Sequence, residues 1–472
     1  MKYRNLWRLL VKNPDIKSHI ASFIKKIEKE NLPQVVIDSF LYYYHKILNG
    51  ETGIIYDKDI ECVRENEITY SNNLSGYSDT GNKVIKNSVR IVLNGGLGTS
   101  MGLSKPKSLI EVRDGKTFLD ILVQQSKRNN IRLAFMNSFG SDKDTTEALR
   151  KMNLPVFPIL FLQHKYPKVL RDGFGPAVWP ANKTKEWNPP GHGDIYAALQ
   201  TSGVLDKLLS EGITYAFISN SDNLGATVDE TILGYFAQKN FPFLMEVCDR
   251  TPSDLKGGHI AKHKNGHLIL REVAQCFESD LGAFRDVSCY NFFNTNNIWI
   301  NLIYLKELIK EKGFVYLPLI LNPKTLDTKD ETSPEVYQVE TAMGSAISLF
   351  DGATAVRVPR TRFFPVKKCS DLLAVRSDCY LVTDEKLVYN PERKLPEIRI
   401  NLDSKYYDKI DQFDERFKEG VPSLVECESL TIIGDVFFEK DVKIAGNIII
   451  KNTGNARAVI SKNSLINKNI TF

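Results

Sequence analysis

Between Asp15 and Leu48 the apolar residues fall at helical spacing: Ile16, Ile20, Ile24 and Ile27, then Val36, Ile37, Phe40, Leu41, Tyr44 and Ile47. Each set makes one apolar stripe, and Asn31–Pro33 interrupts them, so the pattern predicts a helical lead-in. The stretch 70–86 is rich in Ser, Asn, Gly and Asp, has neither period, and predicts a loop. From Asn87 onward, short β-rich runs at 89–93, 132–136 and 215–218 alternate with helical segments at 117–128, 195–211 and 230–238. That alternation predicts a doubly wound, Rossmann-like α/β sheet.

After Glu392 the texture changes. Ile398-Arg399-Ile400 leads into a charged helical patch, and from Ser429 apolar and polar residues alternate with glycines at intervals. Gly434 and Gly446 sit in the similar strings Ile-Ile-Gly-Asp-Val and Ile-Ala-Gly-Asn-Ile, which read as successive coils of a small parallel β-helix; an antiparallel hairpin is the competing reading. The expected division is therefore a helical N-terminal segment (1–86), an α/β domain (87–392) and a β-helical C-terminal domain (393–472).

Composition narrows the function without naming it. The 472 residues are 42% hydrophobic and 25% charged, as in an ordinary globular protein long enough for two or three domains. A net charge of +5, dispersed along the chain, gives no support to a nucleic-acid or membrane-surface role and suits a phosphorylated small molecule. Basic residues interrupt the apolar ones at the N-terminus, and no run reaches membrane-spanning length, so the expected location is cytoplasmic. The seven cysteines are scattered and never form Cys-x-x-Cys, which predicts buried, reduced thiols rather than a disulfide framework or a zinc site.

The first chemical signal is the run from Leu93 and Asn94 through Gly95, Gly96, Gly98 and Gly102, directly after a predicted strand. Glycines there let backbone N–H groups approach a phosphate or a planar base. The spacing Gly96-x-Gly98-x-x-x-Gly102 is one residue too long for the dinucleotide fingerprint, and no Gly-Lys-Ser/Thr follows as a P-loop requires. Lys105-Pro106-Lys107-Ser108 instead sets fixed positive charge just beyond the loop.

With the Pro-Lys-Ser string, Thr117-Phe118-Leu119-Asp120 and Val123-Gln124-Gln125, this run resembles the eukaryotic-type UDP-glucose pyrophosphorylase family. Further matching strings follow in order: Gln163 in Phe-Leu-Gln-His-Lys-Tyr-Pro, Pro190 to Asp194, Ser219 to Ala226, Lys256-Gly257-Gly258, Phe293 to Asn297 and Phe364 to Lys367. The resemblance covers most of 87–373. Two departures are Ser104-Lys105 before Pro106, where a small residue is common, and Ser221, where an apolar residue is frequent.

Physically, Asp222 lies at or just past the carboxyl end of the 216–218 strand, where open α/β sheets bind ligands, and its carboxylate suits Mg²⁺. His192, between Gly191 and Gly193 ahead of a helical segment, can donate to a phosphate or hydroxyl; a general base is not required, because the sugar phosphate is already ionised. The resemblance implies the remaining roles. It implies Mg²⁺ at Asp222, with Asn220 beside it on the nucleotide or sugar. It brings Lys107 and Lys367 to the phosphates and Gln163, Gly95, Gly96 and Gly191 to uracil. Glucose-1-phosphate falls to His192, Asn220, Gly258, Glu272, Thr295 and Asn297.

The implied reaction joins UTP to glucose-1-phosphate by in-line attack, giving UDP-glucose and pyrophosphate without a covalent enzyme intermediate. A broad-specificity UDP-sugar pyrophosphorylase and a UDP-N-acetylhexosamine pyrophosphorylase are the nearest rivals; Ser100-Met101 stands where the latter usually carries Arg. A catalytically silent sugar-nucleotide sensor is the rival from another class. A homo-oligomer through the C-terminal domain stays open.

Overall fold

The computed structural model describes residues 14–251, 254–255, 257–327, 330–383 and 386–472. The N-terminal dodecapeptide and Lys256, both used in the sequence reading, lie outside the described residues. Helices α1 (Pro14–Lys29) and α2 (Gln34–Leu48) form as the stripes predict. Their buried faces, including Phe23, Phe40 and Tyr44, pack with Tyr166, Val169, Leu319 and Val339 of the α/β body.

The stretch read as a loop contains structure. Strand β1 (Thr69–Tyr70) is followed by helix α3 (Ser78–Val84). This helix escapes a periodicity search because glycines make its contact. A Cβ on Gly81 would lie 1.7 Å from the Glu230 carbonyl oxygen, and one on Gly234 would lie 1.9 Å from that of Tyr77. The helices touch backbone to backbone, without an apolar stripe.

Next come β2 (Ser88–Asn94), α4 (Phe118–Arg128), β3 (Arg132–Asn137) and β4 (Ile159–Leu162). Thr117 caps α4 in a reciprocal box with Asp120, accepting its N–H at 3.2 Å while Asp120 Oδ2 accepts that of Thr117 at 2.8 Å. The segment expected as one helix is two, α5 (Ile195–Thr201) and α6 (Val204–Ser210), divided where Gly203 takes φ +73°. Then follow β5 (Tyr215–Asn220), α7 (Glu230–Gln238), β6 (Phe243–Asp249), β7 (His259–His263), β8 (Leu268–Arg271), β9 (Phe292–Asn301) and β10 (Thr354–Arg357).

The main path of the central sheet runs β1-β10-β6-β9-β5-β2-β3-β4. All neighbours are parallel except those of β9, which is antiparallel to β6 and β5, so the sheet is mixed. From β2 the chain winds outward through β3 and β4, then returns to lay β5 on the other side of β2. That reversal opens a crevice beyond the carboxyl ends of β2 and β5.

The C-terminal region contains β11 (Arg399–Leu402), helix α8 (Ile410–Arg416), β12 (Cys427–Ile433), β13 (Val436–Phe438), β14 (Lys443–Ile444), β15 (Gly446–Lys451), β16 (Ala458–Ile460), β17 (Leu465–Ile466) and β18 (Ile470–Thr471). They pair in three parallel ladders, β11-β12-β15-β18, β13-β16 and β14-β17. Packing does not break at residue 392. One apolar core takes in Val92, Met101 and Phe118 together with Phe413, Leu430 and Ile450.

The cysteine expectation needs correcting at one pair. Cys62 and Cys289 form a disulfide with their Cα atoms 5.4 Å apart, while the other five cysteines are free and buried. Strand Ile60–Glu61 pairs with β7, which brings together two cysteines 227 residues apart, a separation that local spacing cannot reveal. Among the described residues no helix is long and apolar enough to cross a membrane.

Candidate active site

Strands β2 and β5 deliver the two sides of the crevice in register. Asn220 is level with Leu93, and the Ser221 N–H donates to the Leu93 carbonyl at 3.1 Å. The chain after β2 is therefore the glycine loop, and the chain after β5 carries Asp222. The Leu93 side chain lies in the core, and Asn94 is fully buried, its Nδ2 donating to Asn137 Oδ1 and Thr145 Oγ1, both at 2.9 Å. The Asn94 amide is thus held between β3 and the helix that follows it.

The loop is closed on itself by an antiparallel bridge between Leu97 and Pro106 and by the Lys107 N–H donating to the Gly96 carbonyl at 3.1 Å. Gly96 faces open space, whereas a Cβ on Gly95 would approach Gln163 Oε1 to 2.8 Å. The loop's fold puts Lys107 Nζ 2.9 Å from Asp222 Oδ2. The other carboxylate oxygen, Asp222 Oδ1, is buried without a hydrogen-bond partner.

Gln163, just past β4, ties two walls of the site. Its Nε2 donates to the Gly191 carbonyl at 2.8 Å. The glycines flanking His192 make room for protein rather than for ligand. A Cβ on Gly191, at φ +76°, would lie 2.3 Å from the Thr341 carbonyl oxygen, and one on Gly193 would lie 2.3 Å from Thr341 Oγ1. The His192 ring accepts the Met343 N–H at Nδ1, 3.0 Å away. The imidazole is therefore the Nε2–H tautomer, a neutral donor, and burial pushes its pKa down to about 4.

On the opposite wall the β6–β9 pairing breaks. Glu246 pairs with Asn297 but the next residue, Val247, pairs with Asn294, so Thr295 and Asn296 bulge from the ladder. Within the bulge Asn296 takes φ +60° and its Nδ2 donates to Asn220 Oδ1 at 2.9 Å, leaving a buried, unpartnered Oδ1. Its neighbours turn away. Thr295 Oγ1 donates to the Glu246 carbonyl at 2.7 Å, and Asn297, fully buried, donates to the Glu246 carboxylate at 3.0 Å. Thr295 and Asn297, expected on glucose, thus have their side chains engaged with β6 in the structure. Asn296, not among the residues expected from the sequence, is the one whose side chain meets Asn220. The polar run Asn-Thr-Asn-Asn in an otherwise apolar strand was its signal.

Gly258 and Glu272 form the far corner. A Cβ on Gly258 would sit 2.7 Å from the Glu272 carboxylate, so the glycine makes room for that side chain. Burial raises the Glu272 carboxyl above its ordinary value, and the Lys367 ammonium opposes that rise, which puts Lys367 within electrostatic reach. A cavity of about 310 Å³, lined in part by Gly257, Phe293, Phe364 and Lys367, adjoins this corner. Lys107, Asp222, Asn220, Gln163, Gly191 and His192 thus share the crevice, with Glu272, Gly258 and Lys367 at its end.

The described residues contain no cluster of three or more His, Cys, Asp or Glu side chains that could hold a metal ion by themselves. A single carboxylate with one unpartnered oxygen fits a hard cation that takes its other ligands from phosphate and water. A glycine loop and a lone carboxylate at the switch point, each with a lysine in reach, define a nucleotide-binding α/β enzyme that manages phosphate charge.

Comparison with known proteins supplies the particular family. A family model described as UTP–glucose-1-phosphate uridylyltransferase matches residues 37–445. The Saccharomyces cerevisiae enzyme of that name is 40% identical over 425 residues, covering 88% of this chain and 84% of its own. That of Solanum tuberosum is 36% identical over 469 residues, covering 97% and 95%. A crystal structure of the L281D variant of Leishmania major UDP-glucose pyrophosphorylase with UDP-glucose superposes with a TM-score of 0.89 at 40% identity, covering 96% of this chain and 99% of that one. The Trypanosoma brucei structure gives 0.88 at 42% identity, covering 96% and 100%. The chain belongs to the UTP–glucose-1-phosphate uridylyltransferase family, a family of nucleotidyltransferases.

Proposed function

We propose that this chain transfers UMP from UTP to glucose-1-phosphate, giving UDP-glucose and pyrophosphate. The observation that carries the reading is the Lys107–Asp222 pair at the switch point, with Asp222 Oδ1 buried and unpartnered. A phosphate oxygen of glucose-1-phosphate attacks the α-phosphorus of UTP in line, and pyrophosphate leaves. The nucleophile is already ionised, so no side chain has to remove a proton. Asp222, through its unpartnered Oδ1, would hold Mg²⁺, which would supply neutralisation of phosphate charge.

Lys107 and Lys367 approach the phosphates from two sides and offset the repulsion between the anionic substrates. The Gly95–Gly96 backbone, Gln163 and Gly191 read the uracil edge. His192 donates through Nε2 to the sugar phosphate or a hydroxyl, and being neutral it does so without adding charge. Asn220, Asn296, Gly258 and Glu272 line the sugar side. In the C-terminal region, the three parallel ladders support a left-handed parallel β-helix over 393–472, following a catalytic domain over 87–392 and a helical segment over 1–86. For location, the five free, buried cysteines favour a reducing, cytoplasmic compartment and the Cys62–Cys289 disulfide an oxidising one.

The deciding experiment measures pyrophosphate release from UTP against a panel of sugar-1-phosphates, with and without Mg²⁺. Glucose-1-phosphate is expected to be preferred, and release to stop without the cation. Equal rates on galactose-1-phosphate would replace the strict enzyme by the broad-specificity one, and no release with any sugar would leave the silent sensor.

A further inference from the structure

Asn223 follows Asp222 directly but faces into the protein, 1% exposed. Its Oδ1 accepts the N–H of Gly225 at 3.2 Å and of Phe364 at 2.9 Å. Its Nδ2 donates to the Arg362 carbonyl at 3.1 Å and lies 3.5 Å from Asn297 Oδ1. Two of these partners are on the segment that leads to Lys367. The main chains of the two segments also join, through the Val366 N–H donating to the Asp222 carbonyl at 3.1 Å and a bridge between Asn223 and Pro365.

This tie has a rigid footing. Arg362 grips the Glu246 carboxylate with two bonds, Nε to Oε2 at 2.8 Å and Nη2 to Oε1 at 2.6 Å. Glu246 is fully buried and also accepts the indole N–H of Trp299 at 2.9 Å and Asn297 Nδ2 at 3.0 Å. Both ends of the network therefore stand on β6 and β9. A buried ion pair of this kind adds little net stability over an apolar replacement, so its value here is fixed geometry. The amide type matters as well. Aspartate would set acceptors against the oxygens of Arg362 and Asn297, and leucine would orphan the N–H groups of Gly225 and Phe364.

Asp222 lies past the end of β5, and Lys367 lies ahead of the helix Cys369–Arg376, whose Asp371 Oδ2 accepts its N–H at 2.8 Å. The main-chain contacts bring the two segments together, and the Asn223 amide adds the side-chain tie between them. We infer that Asn223 is a positioning residue for the transfer reaction, its side-chain amide locking the Asp222 segment to the Lys367 segment over the Arg362–Glu246 pair. The inference rests on the proposed roles of Asp222 and Lys367 in handling phosphate.

The test compares N223A, N223D, K367A, D222N and the double variant N223A/K367A in the full-length chain, measuring kcat, both KM values and the Mg²⁺ concentration for half-maximal rate. A misplacement of reacting groups by a fraction of an ångström predicts a kcat loss of about 10- to 100-fold for N223A. Both KM values stay within roughly threefold and the Mg²⁺ requirement rises. N223D keeps the acceptor but sets a buried carboxylate against the oxygens of Arg362 and Asn297, and its kcat falls at least as far as that of N223A. The double variant loses little beyond K367A, because the tie has no lysine left to place. As a folding control, I27A, in the separate core between α1 and α2, loses stability but keeps kcat. Wild-type kcat in N223D or in folded N223A, or multiplicative losses in the double variant, would overturn the inference alone. Wild-type rates in D222N and K367A would overturn the active-site reading with it.

Discussion

Lys107 and Asp222 are 115 positions apart in the chain and 2.9 Å apart in space. The two side chains neutralise one another, and in the proposed reaction phosphate oxygens would compete with the carboxylate for Lys107. K107A is therefore expected to lower kcat by about 10²-fold or more while Tm moves by only a few degrees; a steady-state assay beside a thermal melt reads both. His192 offers a second residue-scale check. Its folded pKa is about 4, below the ordinary value for histidine, so the unfolded chain takes up its proton first as pH falls. Its contribution to stability is complete above about pH 6.5 and is lost as pH drops toward 4. NMR of the ring should find it neutral throughout the range between, and an imidazole titrating near 6.5 would remove the neutral-donor assignment.

The elements show why glycine spacing alone misled in part. Gly191 and Gly193 are held in a clip: the Gly193 N–H donates to the Thr341 carbonyl at 2.9 Å, and the Thr341 N–H donates to the Pro190 carbonyl at 2.8 Å. G191A must break that clip at a positive φ, with an expected cost of about 3 kcal/mol and a raised KM for UTP through Gln163. G115A makes the contrast. Gly115 has φ +72° but nothing within 4 Å, so its cost should be about 1 kcal/mol, and urea denaturation of the two separates steric from conformational effects. The strands β2, β3 and β5 and the helices α4 and α7 were legible because their apolar periods are strong and their caps local. Motif resemblance singled out Lys107, Asp222 and Gln163, and the structure places them around one crevice. Helix α3, the break at Gly203, the Cys62–Cys289 bond and the turn of Asn296 were not legible. Helix α3, the disulfide and Asn296 depend on contacts or strand pairing with partners distant in sequence, which no local window contains, whereas Gly203 turns by its own positive φ with nothing packed against it.

At the scale of the whole molecule, the C-terminal region is part of the site's support. Gly102, at φ +77°, lies against Lys409, whose Cγ and Cβ would be 3.0 and 3.1 Å from an added Cβ. The segment just ahead of α8 therefore rests on the glycine loop, and Ile410 shares a cavity lining with Lys105 and Pro106. The common core extends this contact, since Met101 of the loop and Leu372 near Lys367 are buried with Tyr407, Phe413 and Leu430. Cutting the chain after residue 392 would strip apolar cover from both sides of the crevice at once. The truncated protein is expected to melt at a markedly lower temperature and to release no measurable pyrophosphate, and the intact chain to unfold in one transition as judged by tryptophan fluorescence and circular dichroism together. A stable, active fragment ending at 392, or an intact chain that melts in two separated steps, would mean that the C-terminal ladders are an appendage and that Lys409 only happens to lie beside the loop.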